Sequence, residues 1–281
     1  MDKNTLRSTL LNFLAEDIGR GDITSESIFP AKQQGKAHLV ARQPMVVAGA
    51  DAVAGEVFRV QNDSILVENA IADGTHIEKG DIILTVSGPV VDLLKAERVA
   101  LNLLQRLSAI ATMTSLFVQA VEGTGVRITD TRKTTPGLRM LEKYAVLAGG
   151  GSNHRFNLAD GVMIKDNHIA ACGSLTAAVE RARLAIPHTI KIEVETDTLP
   201  QVEECVACGA DIIMLDNMSL ADMKTAVAMI DGRALVEASG GVTLKTVADI
   251  ATTGVDIISS GALTHSVISC DIGMDWSMEN L

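Results

Sequence analysis

Residues 189–216 read TIKIEVETDTLPQVEECVACGADIIMLD: a short apolar run, a helical stretch and a second apolar run in close succession. Neither run shows the polar alternation of a strand with one wet face, so both read as strands buried on two sides. The unit recurs. TIKIEVE, DIIML, ALVEAS and VDIIS begin near residues 189, 211, 234 and 255, a spacing of about 22 residues, which is the period of compact βα units. VRITD (126–130) and GVMIK (161–165) precede them in the same style. Six such units in series predict an α/β fold with a (β/α) barrel that is incomplete. A barrel of this kind carries its chemistry at the carboxyl ends of its strands. Those ends hold Asp130, Lys165, Glu193 and Glu195, Asp216, Glu237 and Ser239, and Ser259 to Gly261. Helix capping accounts for some of these, but not for Lys165 or Glu195.

Upstream the texture differs. Between about residues 36 and 90, KAHLVAR, SILVENA and HIEKGDIILTV are separated by Gly, Asp and Pro, with one helical stretch at AGADAVAGEVFRV, which predicts a small sheet-rich module. A long helix follows from Val91 to about Glu122. GTHIEKGDIILTVSGPV is similar to the hairpin of biotinyl and lipoyl carrier domains, but Lys79 lacks that motif's flanking residues and reads as a solvated turn lysine.

Composition narrows the partners. Of the 281 residues, 47% are apolar but only 2% aromatic, and the net charge is -11 with a pI near 5.0. An acidic chain argues against a nucleic-acid or anionic-membrane surface, and neither a signal peptide nor a spanning segment is evident. The expectation is a cytoplasmic protein acting on small molecules. Cys205 and Cys208 form a C-x-x-C without a second pair or a nearby histidine, so reduced structural thiols are expected.

Against the overall acidity, residues 127–166 hold seven Lys or Arg (127, 132, 133, 139, 143, 155, 165) and four acids (130, 142, 160, 166). DTRKTTPGLR (130–139) is the densest part, and His154 and Arg155 follow the glycine run AGGGSN. Arginine forks match carboxylate and phosphate oxygens in pairs, so an anion pocket is expected. SGGV (239–242) and SGALTHS (260–266) each follow a strand and open a helix, a suitable cup for one phosphate. Glu195 and Asp216 end neighbouring strands and could hold Mg²⁺, bind sugar hydroxyls or stabilise a cationic sugar.

Taken in order, AEDIGRGDITS (15–25), ERVALNLLQRLSAIAT (97–112), DTRKTTPGLRMLEKYAV (130–146), GGGSNHRFNLADGVMIKDNH (149–168), KIEVE, LDNM, EASGGV and SGALTHS resemble the quinolinate phosphoribosyltransferase family, the carboxylating nicotinate-nucleotide pyrophosphorylases. Ala109 is one departure, at a position where the family usually has glycine. The resemblance implies an N-terminal α/β sandwich-like domain over 1–110, with the C-terminal segment 270–281 as a candidate addition, and a barrel domain over 111–269. It also implies a homodimer with composite sites that works in de novo NAD synthesis on quinolinate and phosphoribosyl pyrophosphate with Mg²⁺. By the same resemblance Arg98 would reach the neighbouring subunit's site. Arg132, His154, Arg155 and Lys165 would line the quinolinate pocket, with Lys133 beside the pyrophosphate. Glu195 and Asp216 would face the ribose and, directly or indirectly, Mg²⁺; Ser239, Gly240, Gly261 and His265 would hold the 5-phosphate. Lys133, Lys165, Glu195 and Asp216 are the catalytic candidates. Three other readings compete: a molybdenum-transport-associated paralogue, a non-enzymatic carrier or binding module, and an aldolase-like barrel with Lys165 as a Schiff-base lysine.

Overall fold

The computed structural model describes residues 2–277, and the chain divides into two compact units. The second unit, Thr114–Arg139 with Gly151–Ser266, contains the βα repeat. Its strands are Arg127–Thr129, Val162–Ile164, Ile192–Thr196, Ile212–Asp216, Leu235–Ser239 and Ile257–Ser259, paired in parallel throughout. The sheet begins at Arg127–Thr129, continues through the last strand and then backwards along the chain to Val162–Ile164. The two earliest strands are therefore its edges, and an isolated bridge from Thr129 to Ser152 extends the first of them. Six parallel strands without mutual pairing of the two edges make the incomplete barrel.

The sequence dictates these elements locally. Val194, Ile213, Leu215, Ala238 and Ile258 are fully buried, which accounts for the lack of polar alternation. Helix starts are set by side-chain caps: Ser174 accepts from the Ala177 N–H at 3.1 Å and Ser219 from the Asp222 N–H at 3.1 Å. Thr198 and Gln201 form a capping box at Leu199–Ala207. That helix holds the C-x-x-C. Cys205 is fully buried, and burial raises its thiol to about 12, the opposite of a reactive thiolate.

The first unit comprises the residues up to Met113, Met140–Gly150, and the chain from Val267 onward. Its main sheet is antiparallel, in the order Ile272–Trp276, Gln34–Ala41, Ile82–Pro89, Leu66–Glu68. The C-terminal strand thus joins the N-terminal sheet, while residues 278–281 of that segment lie outside the described residues. Exposed Lys79 occupies the turn before Ile82–Pro89. The long helix spans Val90–Ala120, and no helix among the described residues is long and apolar enough to cross a membrane. Residues 140–150 join this unit because their helix buries Leu141, Ala145 and Val146. The fully buried Glu142 also accepts from Arg106 Nη2 at 2.6 Å, and Tyr144 donates to Asp73.

Ala109 is buried within the long helix, where alanine outranks glycine as a helix former. Ala109→Gly is expected to lower stability by about 1 kcal/mol, read as a lower denaturation midpoint at unchanged m-value.

Candidate active site

Parallel pairing brings the strand ends together. Ser239 and Asp216 are register partners on adjacent strands, and Glu195 sits beside Met214 one strand further on. Around these ends lies a cavity of about 330 Å³, lined by Arg132, Lys133, His154, Arg155, Lys165, Glu195, Asp216 and Ser239 among the expected residues. Thr131, Met163, Met214, Glu237 and Ser259 complete its wall.

The cations are not equivalent. Lys165 is ion-paired with Glu195. Arg155 donates through Nη1 to the Gly161 carbonyl at 2.8 Å, and burial, then the nearby Arg132, lowers its pKa. Arg132 and Lys133 are exposed. Arg139, the remaining cation of DTRKTTPGLR, is a brace. Its guanidinium donates to Thr134 Oγ1 at 2.9 Å, to the Phe156 carbonyl at 3.0 Å and to the Arg132 carbonyl at 3.3 Å. That fork is committed to holding two loops.

His154 lines this cavity, and its polar groups are engaged by protein partners. Its backbone N–H donates to the fully buried Asp130 at 2.9 Å. Its Nδ1 accepts the Arg155 N–H at 2.7 Å, and its Nε2 lies 3.1 Å from Glu193 and 3.6 Å from Glu237. A backbone N–H can only donate, so the ring proton must be on Nε2, directed at the two carboxylates. The ligand atoms of this trio lie within 4.8 Å of one another. A metal bound at Nε2 would require the reverse tautomer, with Nδ1 donating, so the trio does not fit a metal ion. Instead, Glu237 is pushed up to about 7, first by burial and then by Glu193.

Asp216 is also raised, first by burial and then by Glu195, with the Asn217 hydrogen bond and then Lys165 and Lys133 opposing. Two half-buried acids at adjacent strand ends, under mutual repulsion, form a donor set that fits a hard divalent cation. The glycine segments lie nearby. Gly240 and Gly241 have φ of +87° and +58°, and Ser260 Oγ donates to the Val242 carbonyl at 3.1 Å, linking the two loops. A Cβ on Gly261 would fall 2.8 Å from Lys133 Cδ and 2.9 Å from His265 Nε2, so Gly261 and His265 sit against Lys133. Thr264 Oγ1 fixes this arrangement by donating to the Lys133 carbonyl at 2.8 Å. Arg98 lies in the other unit, exposed on the helix Val90–Ala120.

Residues 22–108 match the family description "Quinolinate phosphoribosyl transferase, N-terminal domain" and residues 110–275 its C-terminal counterpart. The chain belongs to the quinolinate phosphoribosyltransferase family. It is 48% identical over 280 residues to the probable nicotinate-nucleotide pyrophosphorylase [carboxylating] of Bacillus subtilis, covering 100% of this chain and 96% of that protein. It is 45% identical over 276 residues to the nicotinate-nucleotide pyrophosphorylase [carboxylating] of Mycobacterium leprae, covering 96% of each. Among solved structures, NadC from Streptococcus pyogenes superposes with a TM-score of 0.94 at 42% identity over 99% of both chains. Coverage of both domains by one phosphoribosyltransferase family removes the ground for the carrier and aldolase readings, and Lys165 is salt-bridged rather than desolvated.

Sequence reading gave Glu193 and Glu237 no role beyond their place near strand ends. The signal available was their inward register, since both sit on strand positions that are almost fully buried. Because the folded pKa of Glu237 exceeds its ordinary 4.5, ionising it opposes folding as pH rises from about 4.5 to 7 and by a constant amount above that. Glu237→Gln removes this opposition. Its gain in melting temperature over wild type is expected to grow from pH 5 to pH 7.5 and then level off; a gain independent of pH would contradict the assignment.

Proposed function

We propose that this family member transfers the phosphoribosyl group of phosphoribosyl pyrophosphate to the ring nitrogen of quinolinate and releases pyrophosphate, carbon dioxide and nicotinate mononucleotide, a step of de novo NAD synthesis. The observation that carries this reading is the cavity itself, whose lining combines the cations Arg132, Lys133, Arg155 and Lys165 with the acids Glu195 and Asp216, Lys165 and Glu195 being ion-paired. Quinolinate has two carboxylates on adjacent ring carbons, and paired guanidinium and ammonium donors suit such a diacid. The acids suit a sugar that gains positive character as its anomeric carbon–oxygen bond to pyrophosphate breaks and the ring nitrogen's electron pair forms the new bond. Glu195 and Asp216 are the residues that would hold Mg²⁺, which when bound supplies neutralising charge for the leaving pyrophosphate. Ser239, Gly240, Gly261 and His265 take the 5-phosphate.

Decarboxylation follows from the quaternary nitrogen. The bond between C2 and its carboxylate breaks, carbon dioxide leaves, and the electron pair left on C2 is stabilised by the adjacent positive nitrogen until it takes up a proton. Lys133 and Lys165 are the candidate donors. In solution we expect a cytoplasmic homodimer in which exposed Arg98 of one subunit serves the cavity of the other.

The primary test incubates the protein with quinolinate, phosphoribosyl pyrophosphate and Mg²⁺ and looks for nicotinate mononucleotide. Nicotinate, which lacks the second carboxylate, should be a poor acceptor. Lys133→Ala and Arg155→Ala should abolish turnover, and full activity in either would refute the role assigned to it. Mixing Arg98→Ala with Lys133→Ala subunits should restore part of the activity, because some hybrid sites combine two intact contributions. Absence of any complementation would count against a shared site.

A further inference from the structure

Asn217 has no part in the roles assigned above, yet its geometry connects two of them. Asp216 ends the strand Ile212–Asp216, and its register partner on the next strand is Ser239. Immediately beyond, Asn217 takes a left-handed conformation with φ +55°, which asparagine tolerates better than most other side chains. Its backbone N–H donates to the Ser239 carbonyl at 3.0 Å, and its side-chain Nδ2 donates to Asp216 Oδ2 at 2.8 Å. From the other side the glycine loop closes directly over it. A Cβ on Gly240 would fall 2.5 Å from Asn217 Cγ and 2.7 Å from its backbone nitrogen.

We propose that Asn217 is a positioning residue that locks the Asp216 carboxylate and the Ser239–Gly241 loop into one rigid phosphoribosyl-binding unit. The proposal rests on the phosphoribosyl-transfer reading of this site and adds to it how the sugar and phosphate subsites are held in register. Asn217 donates to Oδ2 of Asp216 and so fixes the orientation of the carboxylate, whose Oδ1 is left for a sugar hydroxyl or cation. Its backbone sets the strand-end spacing, and its amide fills the space that Gly240 leaves by lacking a side chain. Both ends of the ribose phosphate must be bound at once for the anomeric carbon to be correctly placed, and small positional errors there are costly to rate.

An asparagine in this conformation could also serve only as a turn residue, and Asn217→Gly separates the two roles. Glycine keeps the left-handed backbone and removes the amide. Calorimetric titration of the full-length protein with ribose 5-phosphate should show affinity weakened on the order of tenfold in Asn217→Gly, the scale of a lost hydrogen bond to a charged group. The KM for phosphoribosyl pyrophosphate should rise in parallel, while quinolinate affinity should stay within about twofold and the melting temperature should stay near wild type, because only one exposed hydrogen bond is lost.

Equal ribose 5-phosphate affinity in wild type and Asn217→Gly would overturn the inference. A wild type that turns over normally while Asn217→Gly matches it sinks this inference alone and leaves the functional reading standing. A wild type that neither turns over nor binds ribose 5-phosphate sinks both.

Discussion

Parallel pairing is the constraint on which the rest of the active-site unit depends. In an antiparallel sheet Lys165, Glu195, Asp216 and Ser239 would alternate between opposite rims. Here every strand of the six-stranded sheet runs the same way, so residues spread over about 75 positions of chain arrive at one rim. That gathering gives a local charge pattern unrelated to the net charge of -11. At an effective dielectric of 20, two unit charges 4 Å apart interact by about 4 kcal/mol. The charges gathered around one small cavity therefore dominate what it can bind.

The cavity is held by residues that do not face a ligand. Arg139 commits its guanidinium to three acceptors on neighbouring loops, Asp130 pins the His154 backbone, and Thr264 pins the carbonyl of Lys133. Glu193 and Glu237 receive the imidazole from beneath. Burying two carboxylates side by side is costly unless one takes up a proton, and the raised pKa of Glu237 is the sign of that cost. The exposed ends of Arg132 and Lys133 are thus mounted on loops held by Arg139, Asp130 and Thr264, which preorganises the donors before an anion arrives.

Much of this was legible in the sequence. The spacing of about 22 residues, the absence of alternation and the polar strand ends lead to a parallel barrel-like sheet, and the ordered motifs lead to the family. The long helix follows from its periodicity, with observed bounds of Val90–Ala120 against the expected Val91 to about Glu122. Of the candidates at the strand ends, Lys165, Glu195, Asp216, Glu237, Ser239 and Ser259 line one cavity with Arg132, Lys133, His154 and Arg155, whereas Asp130, Glu193, Ser260 and Gly261 are not in its lining; strand direction fixes where the ends go, and side-chain packing decides which of them face the cavity.

Three things were decided only by tertiary structure. Residues 140–150 belong with the N-terminal unit, although their pattern looks like one more barrel helix; the pair of buried Glu142 with half-buried Arg106 that helps hold them links positions 36 residues apart. The cationic stretch separates into residues that face the cavity and Arg139, which braces the loops, because a guanidinium's role depends on which carbonyls surround it and composition carries no such information. The tautomer of His154 is set by an N–H and two carboxylates from three different segments. Sequence determines direction and periodicity, which are local properties of the chain. The assignment of each charge to a partner is a property of distance and emerges only on folding.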